Sequence, residues 1–322
     1  MLPSEKIIIS AEQAGLRLDK FLVERFPDTS RSQIQKAVKD GLVIINEKKV
    51  LPHHFLKAAD VVVIKESAGE TAKENTKKQI KIHQEQVKKA EGLLKKVKII
   101  AQEPEFMIIE KPAGLLVHPT DTSTVPTLAD WLSEQFPALK KIGENPARPA
   151  IVHRLDKDVS GLMLIPTTQD GFDYFKSQFK QHTITKKYLA LVEGVIEREE
   201  AEINLPIGRS KTKPGLFAAR PLNQDGKKAV TRFKVKKRFR NFTLLEVEIL
   251  TGRTHQIRVH LLSQDHPVVG DKLYHPKLRP KDDPGRIFLH AAELAFTGPD
   301  GQEHHYESKL PNVLKEFERN LK

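Results

Sequence analysis

Residues 67–98 set the architecture of this chain. Nine lysines stand there against four glutamates, glutamine is frequent, and no aromatic residue occurs. A segment this poor in apolar surface builds no core of its own. It reads as a flexible linker, helical in part, whose lysines add nonspecific attraction to a polyanion. Two patterned segments are left, residues 1–66 and 99–322, and these are expected to be separate domains. The total of 322 residues is also more than one ordinary domain holds.

The chain carries 54 Lys and Arg against 42 Asp and Glu, a net charge of +12, which suits a polyanionic partner. It has no cysteine, which excludes a disulfide scaffold, a thiolate nucleophile, an iron–sulfur cluster and a cysteine-ligated zinc. No apolar run approaches the roughly 18 residues of a membrane span. Met1–Ser10 includes Glu5 and lacks the apolar stretch of a secretory signal. The expectation is a cytoplasmic protein with no membrane partner. The positive charge is concentrated, with twelve Lys and Arg against the single acid Asp225 in residues 209–240. Within that run Lys228, Arg232, Lys234, Lys236 and Arg238 alternate with Ala229, Thr231, Phe233 and Val235. A period of two predicts a strand with its cations on one face. Such a basic ridge suits phosphates, against the plainer reading of a solvated lysine-rich face.

Residues 16–65 read as a small α/β module. Leu18, Phe21, Leu22 and Phe26 recur at helical spacing. Ser30 with Gln33 forms a capping-box pattern that opens a second helix, with Ile34, Ala37 and Val38 inside and Gly41 after it. Leu42–Ile45 and Val61–Ile64 are strand-like. Arg31, Lys36 and Lys39 lie on the wet face of the second helix, where they are available to phosphates. Beyond residue 97 short apolar runs alternate with helical stripes such as Phe172, Phe175 and Phe179. This order predicts an α+β fold, with a mixed, largely antiparallel sheet and flanking helices rather than repeated βαβ units.

No GxxxxGK phosphate loop and no GxGxxG fingerprint occurs, so nucleotide-cofactor or kinase chemistry has no foothold. His255 and His260 are five apart, out of phase for a shared metal on one helix face, and HExxH is missing. Ser160 lacks the GxSxG elbow of a serine nucleophile. Two stretches remain. Ile151–Gly161 places Asp156 in a charged turn between apolar runs, a position that turn capping alone also explains. Thr251–His260 places Arg253 at a strand-to-helix junction, where side chains project toward clefts.

These two stretches, HRLDKDVSG at 153–161 and TGRTHQIRVH at 251–260, resemble the RluA-type family of RNA pseudouridine synthases. KPAGLLVHP at 111–119, KKYLALVEG at 186–194, HPVVGDKLY at 266–274 and LHAAELAF at 289–296 extend the likeness in the family's order. It spans residues 97–322, while residues 15–65 resemble the RNA-binding domain named for small-subunit ribosomal protein S4. The resemblance implies isomerisation of uridines in RNA, most of all large-subunit ribosomal RNA, with base flipping and no cofactor or metal. Nothing is oxidised; one ionised carboxylate beside the ribose suffices, as nucleophile or as base.

By that likeness Asp156 is the carboxylate and Arg253 its cationic partner. Tyr188 lies against the uracil and assists proton removal from carbon-5. His153 and Arg154 contact the refolded RNA or brace the turn. Arg31 and Lys39 of the small module, with Lys228, Arg232 and Lys234 of the ridge, hold phosphates. Val159 departs from the family's usual threonine and removes a hydroxyl beside the turn. A different class of protein, a non-catalytic RNA-binding or ribosome-assembly factor, would use the same basic surfaces. Intact Asp156, Arg253 and Tyr188 favour the enzyme.

Overall fold

The computed structural model describes residues 3–65, 69–119, 125–146, 148–213, 215–276 and 282–322, leaving aside the side chains of 69–80. It forms two compact units, Met1–His83 and Gln84–Lys322.

In the first unit, β1 (Glu5–Ile8), α1 (Leu18–Arg25), α2 (Arg31–Lys39), β2 (Val43–Ile45), β3 (Lys48–Lys49) and β4 (Val61–Ile64) follow in order. The strands pair antiparallel as β1-β4-β2-β3. Ser30 caps α2 as expected: its backbone N donates to Gln33 Oε1 at 2.9 Å, and its hydroxyl accepts from Gln33 N. Leu18, Leu22, Ile34 and Val38 seal the helices onto Val43, Val62 and Ile64.

The expected flexible linker is a helix for most of its length. α3 runs Gly69–Leu94, because Lys, Gln, Glu and Ala are all strong helix formers. At its end Ala90 is buried, and Leu93, Leu94 and Val97 pack on the core of the second unit.

The second unit continues with β5 (Lys98–Gln102), β6 (Phe106–Lys111), α4 (Leu128–Gln135), β7 (Ser160–Pro166), α5 (Gln169–Gln181), β8 (Thr185–Glu193), β9 (Glu200–Asn204), β10 (Ile207–Arg209), β11 (Phe217–Ala219), β12 (Val230–Arg238), β13 (Phe242–Ile249), α6 (Gln256–Leu262), β14 (Leu289–Thr297), β15 (Glu303–Glu307) and α7 (Asn312–Arg319). The described strands make one nine-stranded sheet, ordered β5-β6-β7-β14-β8-β13-β12-β9, with β15 beside β14. β7 and β14 pair in parallel, and the other pairings are antiparallel. The α+β expectation holds. β10 and β11 form a separate two-stranded hairpin. The Phe stripe of α5 is where its period puts it, with Phe172 and Phe175 buried.

The parallel junction places the turn that carries Asp156. Only His290↔Ser160 and Ala291↔Gly161 are in register there. Gly161 sits at φ +127°, and a Cβ on it would meet the Ala291 backbone at 2.2–2.7 Å, so no other residue fits. Among the described residues no helix is long and apolar enough to cross a membrane.

Candidate active site

Asp156 lies in the turn between the 151–155 run and β7, at a cleft of about 80 Å³ lined also by Arg154, Tyr188, Arg253, His255 and Arg258. It is the sole carboxylate among the described lining residues. The turn is clamped at both ends. Lys111 is fully buried, and its Nζ donates to Pro112 O, Leu115 O and Lys157 O at 3.1, 2.9 and 3.1 Å. Burial pushes Lys111 down to about 7, while three carbonyls match the three N–H donors of its ammonium form. At the other end Ser160 Oγ accepts from Arg286 Nη2 at 2.8 Å and lies 2.9 Å from His290 Nδ1. His290 Nε2 is 3.1 Å from Ser308 Oγ, which donates to Glu110 at 2.5 Å. Ser160 and His290 are buried, so this serine–histidine pair anchors the turn rather than attacking a substrate. Val159, buried in place of the family's threonine, closes the turn through its backbone N on Asp156 O at 3.2 Å.

The cation on Asp156 is Arg258, not Arg253. Arg258 Nη1 donates to Asp156 Oδ2 at 3.4 Å, while Nε and Nη2 fork onto Asp271 at 2.7 Å each. Burial works against the Arg258 charge, but hydrogen bonds and charge from Asp271, then Asp156, outweigh it and raise its pKa. Arg253 stands at the cleft margin and gives Nε to Lys228 O at 3.0 Å. The reason is position: Arg253 precedes α6, whereas Arg258 lies within it, in a run buried from Gln256 to Leu261. Gln256 fixes that start. Its Oε1 accepts from Thr251 Oγ1 and Arg253 N, and its Nε2 donates to Val230 O and Thr231 Oγ1.

Tyr188 lines the cleft as expected. Burial, then the negative charge of Asp156, pushes its phenol above the usual range. It therefore stands as a neutral hydroxyl. His153 belongs to the scaffold: Nε2 accepts Leu164 N at 2.9 Å, the ring stacks on Phe179 at 4.5 Å, and burial holds it at about 3. Its Nε2 and one face of the ring are thus already engaged. Arg154 is exposed at the cleft and reaches His118 Nε2 at 2.9 Å.

The ridge strand forms, but its cations are matched. Arg232 pairs Glu202 at 2.8 Å, Lys234 pairs Glu200 at 3.3 Å, Lys236 pairs Glu246 at 3.5 Å and Arg238 pairs Glu199 at 2.9 Å. Three of those glutamates come from β9 and the segment before it, outside the run whose charge was counted. Lys228 keeps no carboxylate partner among the described residues. In the first unit Arg31 joins Arg17 and Gln35 around buried Asp19, at 2.9, 3.0 and 3.0 Å, whereas Lys39 is exposed. Glu293, His305 and Glu307 converge on β14–β15 as a possible metal group, but Lys187 Nζ already sits on Glu293 at 2.9 Å.

A carboxylate clamped in a cleft with an arginine and a tyrosine on a mixed sheet, in a chain that also has a separate small α/β unit earlier in its sequence, fits an RNA-modifying class. Residues 105–263 match the RNA pseudouridylate synthase family and residues 16–62 the S4 domain. The chain belongs to the RNA pseudouridine synthase family. It is 34% identical over 317 residues to an uncharacterized RNA pseudouridine synthase of Bacillus subtilis, covering 98% of this chain and 97% of that one. It is 36% identical over 311 residues to ribosomal large subunit pseudouridine synthase D of Nitrosomonas europaea, covering 94% and 83%. The structure of human RNA pseudouridylate synthase domain containing 4 superposes with TM-score 0.57 and 25% identity, covering 74% of this chain and 98% of that one.

Proposed function

We propose that this chain isomerises uridines of large-subunit ribosomal RNA in the cytoplasm, with Asp156 as the catalytic carboxylate. The observation that carries the reading is Asp156 itself, the one carboxylate among the described residues of its cleft, clamped by Lys111 and Ser160 and faced by Arg258. Reaction at a stacked uridine requires its extrusion into such a cleft. The bond from ribose carbon-1′ to uracil N1 breaks, the base turns, and carbon-1′ joins carbon-5. N1 gains a proton and carbon-5 loses one, so atoms balance without a cofactor. Asp156 serves the ribose side as nucleophile or base, Arg258 aims it, and the Tyr188 ring packs on the uracil. Arg154 at the cleft and Lys39 on α2 contact the RNA. The ribosomal target is supported by the large-subunit synthases among the relatives.

Transcribed large-subunit RNA, tritiated at uridine carbon-5, tests this. Wild type should release tritium, and Asp156→Asn should bind the RNA equally and release none. Full activity of that variant would remove Asp156 from the role, and binding without product by wild type over hours would favour a non-catalytic RNA-binding factor.

A further inference from the structure

The twelve cations of residues 209–240 differ in their partners. Of the five on β12, Arg232, Lys234, Lys236 and Arg238 are held by glutamates, as above, while Lys237 lies over the Phe239 ring. Arg209, Lys211, Lys213, Lys227 and Lys228, on the β10–β11 hairpin and the segment after it, have no carboxylate partner among the described residues. The hairpin walls a cavity of about 710 Å³, lined by Arg209, Lys211, Arg220 and Lys227 with Asp225 as its carboxylate. Gly252, Arg253 and Thr254 line both this cavity and the Asp156 cleft. An unneutralised basic pocket one wall away from the reacting ribose suits the phosphodiester backbone that flanks it.

A hydrogen-bonded path connects the two. Phe217 N, in β11, donates to Tyr274 Oη at 3.0 Å. Tyr274 Oη lies 2.8 Å from His255 Nδ1. A phenol that accepts from Phe217 N and gives its own proton to Nδ1 leaves the imidazole proton on Nε2. That Nε2 is 3.9 Å from Asp156 Oδ2, about one ångström beyond a hydrogen bond. The Tyr274 ring also lies under the Arg258 guanidinium at 4.9 Å. One side chain thus touches the hairpin backbone and both groups that face Asp156. His255 is held at φ 57°, a left-handed conformation that strains a non-glycine residue. The Tyr274 bond is what fixes its ring there.

We infer that Tyr274 is a positioning residue that links an RNA-backbone seat on the β10–β11 hairpin to His255 and Asp156. Phosphates drawn onto the hairpin move Phe217 N, Tyr274 follows, and His255 Nε2 closes on the carboxylate, as catalytic hydrogen bonds tighten on substrate binding. The inference rests on the reading of Asp156 as the catalytic group.

Tyr274→Phe removes the hydroxyl and keeps the ring beneath Arg258. On tritiated ribosomal RNA transcripts it should lower kcat about tenfold or more with KM and melting temperature unchanged. His255→Asn, a residue that tolerates the left-handed backbone, should lose the same factor, and the double variant should lose no more. Lys211→Gln with Lys227→Gln should weaken RNA binding, flatten its salt dependence and reduce kcat in wild type but not in the Tyr274→Phe background. Wild-type kcat in Tyr274→Phe, fully additive losses in the double variant, or unchanged RNA binding in the lysine pair would each overturn the linkage. Failure of the Asp156 reading shows separately, as product formation by Asp156→Asn.

Discussion

Arg258 separates two effects that a sequence motif runs together. Its fork onto Asp271 is short and buried, with side chains 5% and 1% exposed; its reach to Asp156 is a single contact at 3.4 Å. Arg258→Met leaves the Asp271 carboxylate buried without its cation, a loss of about 3–5 kcal/mol. Asp271 keeps two backbone donors, Leu273 N and Tyr274 N at 3.1 Å, which places the cost at the low end, about 3 kcal/mol. For a unit of this size that is a melting-temperature drop of roughly 6–12 °C. Arg258→Lys keeps a charge for Asp271 but gives up the donor aimed at Asp156. Loss of one preorganised donor at a reacting group costs about 10²-fold in rate, near 2.7 kcal/mol.

The assay is single-turnover tritium release with enzyme in excess, beside a thermal melt and an RNA-binding isotherm. Arg258→Lys should melt within a few degrees of wild type, bind RNA normally and react about a hundredfold more slowly. Arg253→Ala, whose guanidinium reaches Lys228 O rather than Asp156, should do the opposite, with weaker binding and a rate within about threefold. A rate for Arg258→Lys within threefold of wild type refutes the argument. So does a rate loss in Arg253→Ala with unchanged affinity.

Gly161→Ala should fail to accumulate as folded protein or melt far below wild type, because the new Cβ meets Ala291 backbone at 2.2–2.7 Å; a normal melt would mean the β7–β14 junction is looser than it stands here. Charge removal at Arg232 and Lys234 together should change RNA affinity less than twofold, since each already sits on a glutamate; a large loss in the isotherm would return the ridge to the RNA surface. Burial holds His290 at about 4 and His153 at about 3, against an ordinary 6.5. The unfolded chain therefore takes up their protons first as pH falls below 6.5, and stability is lost from there toward pH 4. At pH 5 the loss is on the order of 2 kcal/mol for each, and denaturant melts at pH 7.5 and 5.0 should show it, with a shallower slope in His290→Asn.

What the sequence discloses here is what period and local chemistry control. The capping box of Ser30 and Gln33, the Phe172 and Phe175 stripe, the strand with alternating cations and the turn of Asp156 are properties of neighbours in the chain, and each stands where its pattern puts it. Arg258 was hidden because TGRTHQIRVH offers two arginines, and the choice depends on where α6 starts and on Asp271, thirteen residues on. Lys111 was hidden because a lysine paired only with carbonyls leaves no complementary charge to search for. The helix across residues 69–94 follows from propensity that the low apolar content obscured.

Charge was the least legible quantity, and its pattern has one cause. Arg31 is spent on Asp19, and the β12 cations are spent on glutamates brought alongside by β9 and β13. In each case a neighbouring element supplies the counter-charge, as cross-strand pairing normally does. The β10–β11 hairpin is a sheet of its own, and its other edge is bridged by Ile207 to Lys227, in the segment that leads into β12. That segment brings one carboxylate, Asp225, to a cavity lined by Arg209, Lys211, Arg220 and Lys227, so most of the positive charge there is left for phosphate. A basic run on a sheet strand is thus a poor guide to an RNA surface, and the same residues on a hairpin with few carboxylates beside it are a better one.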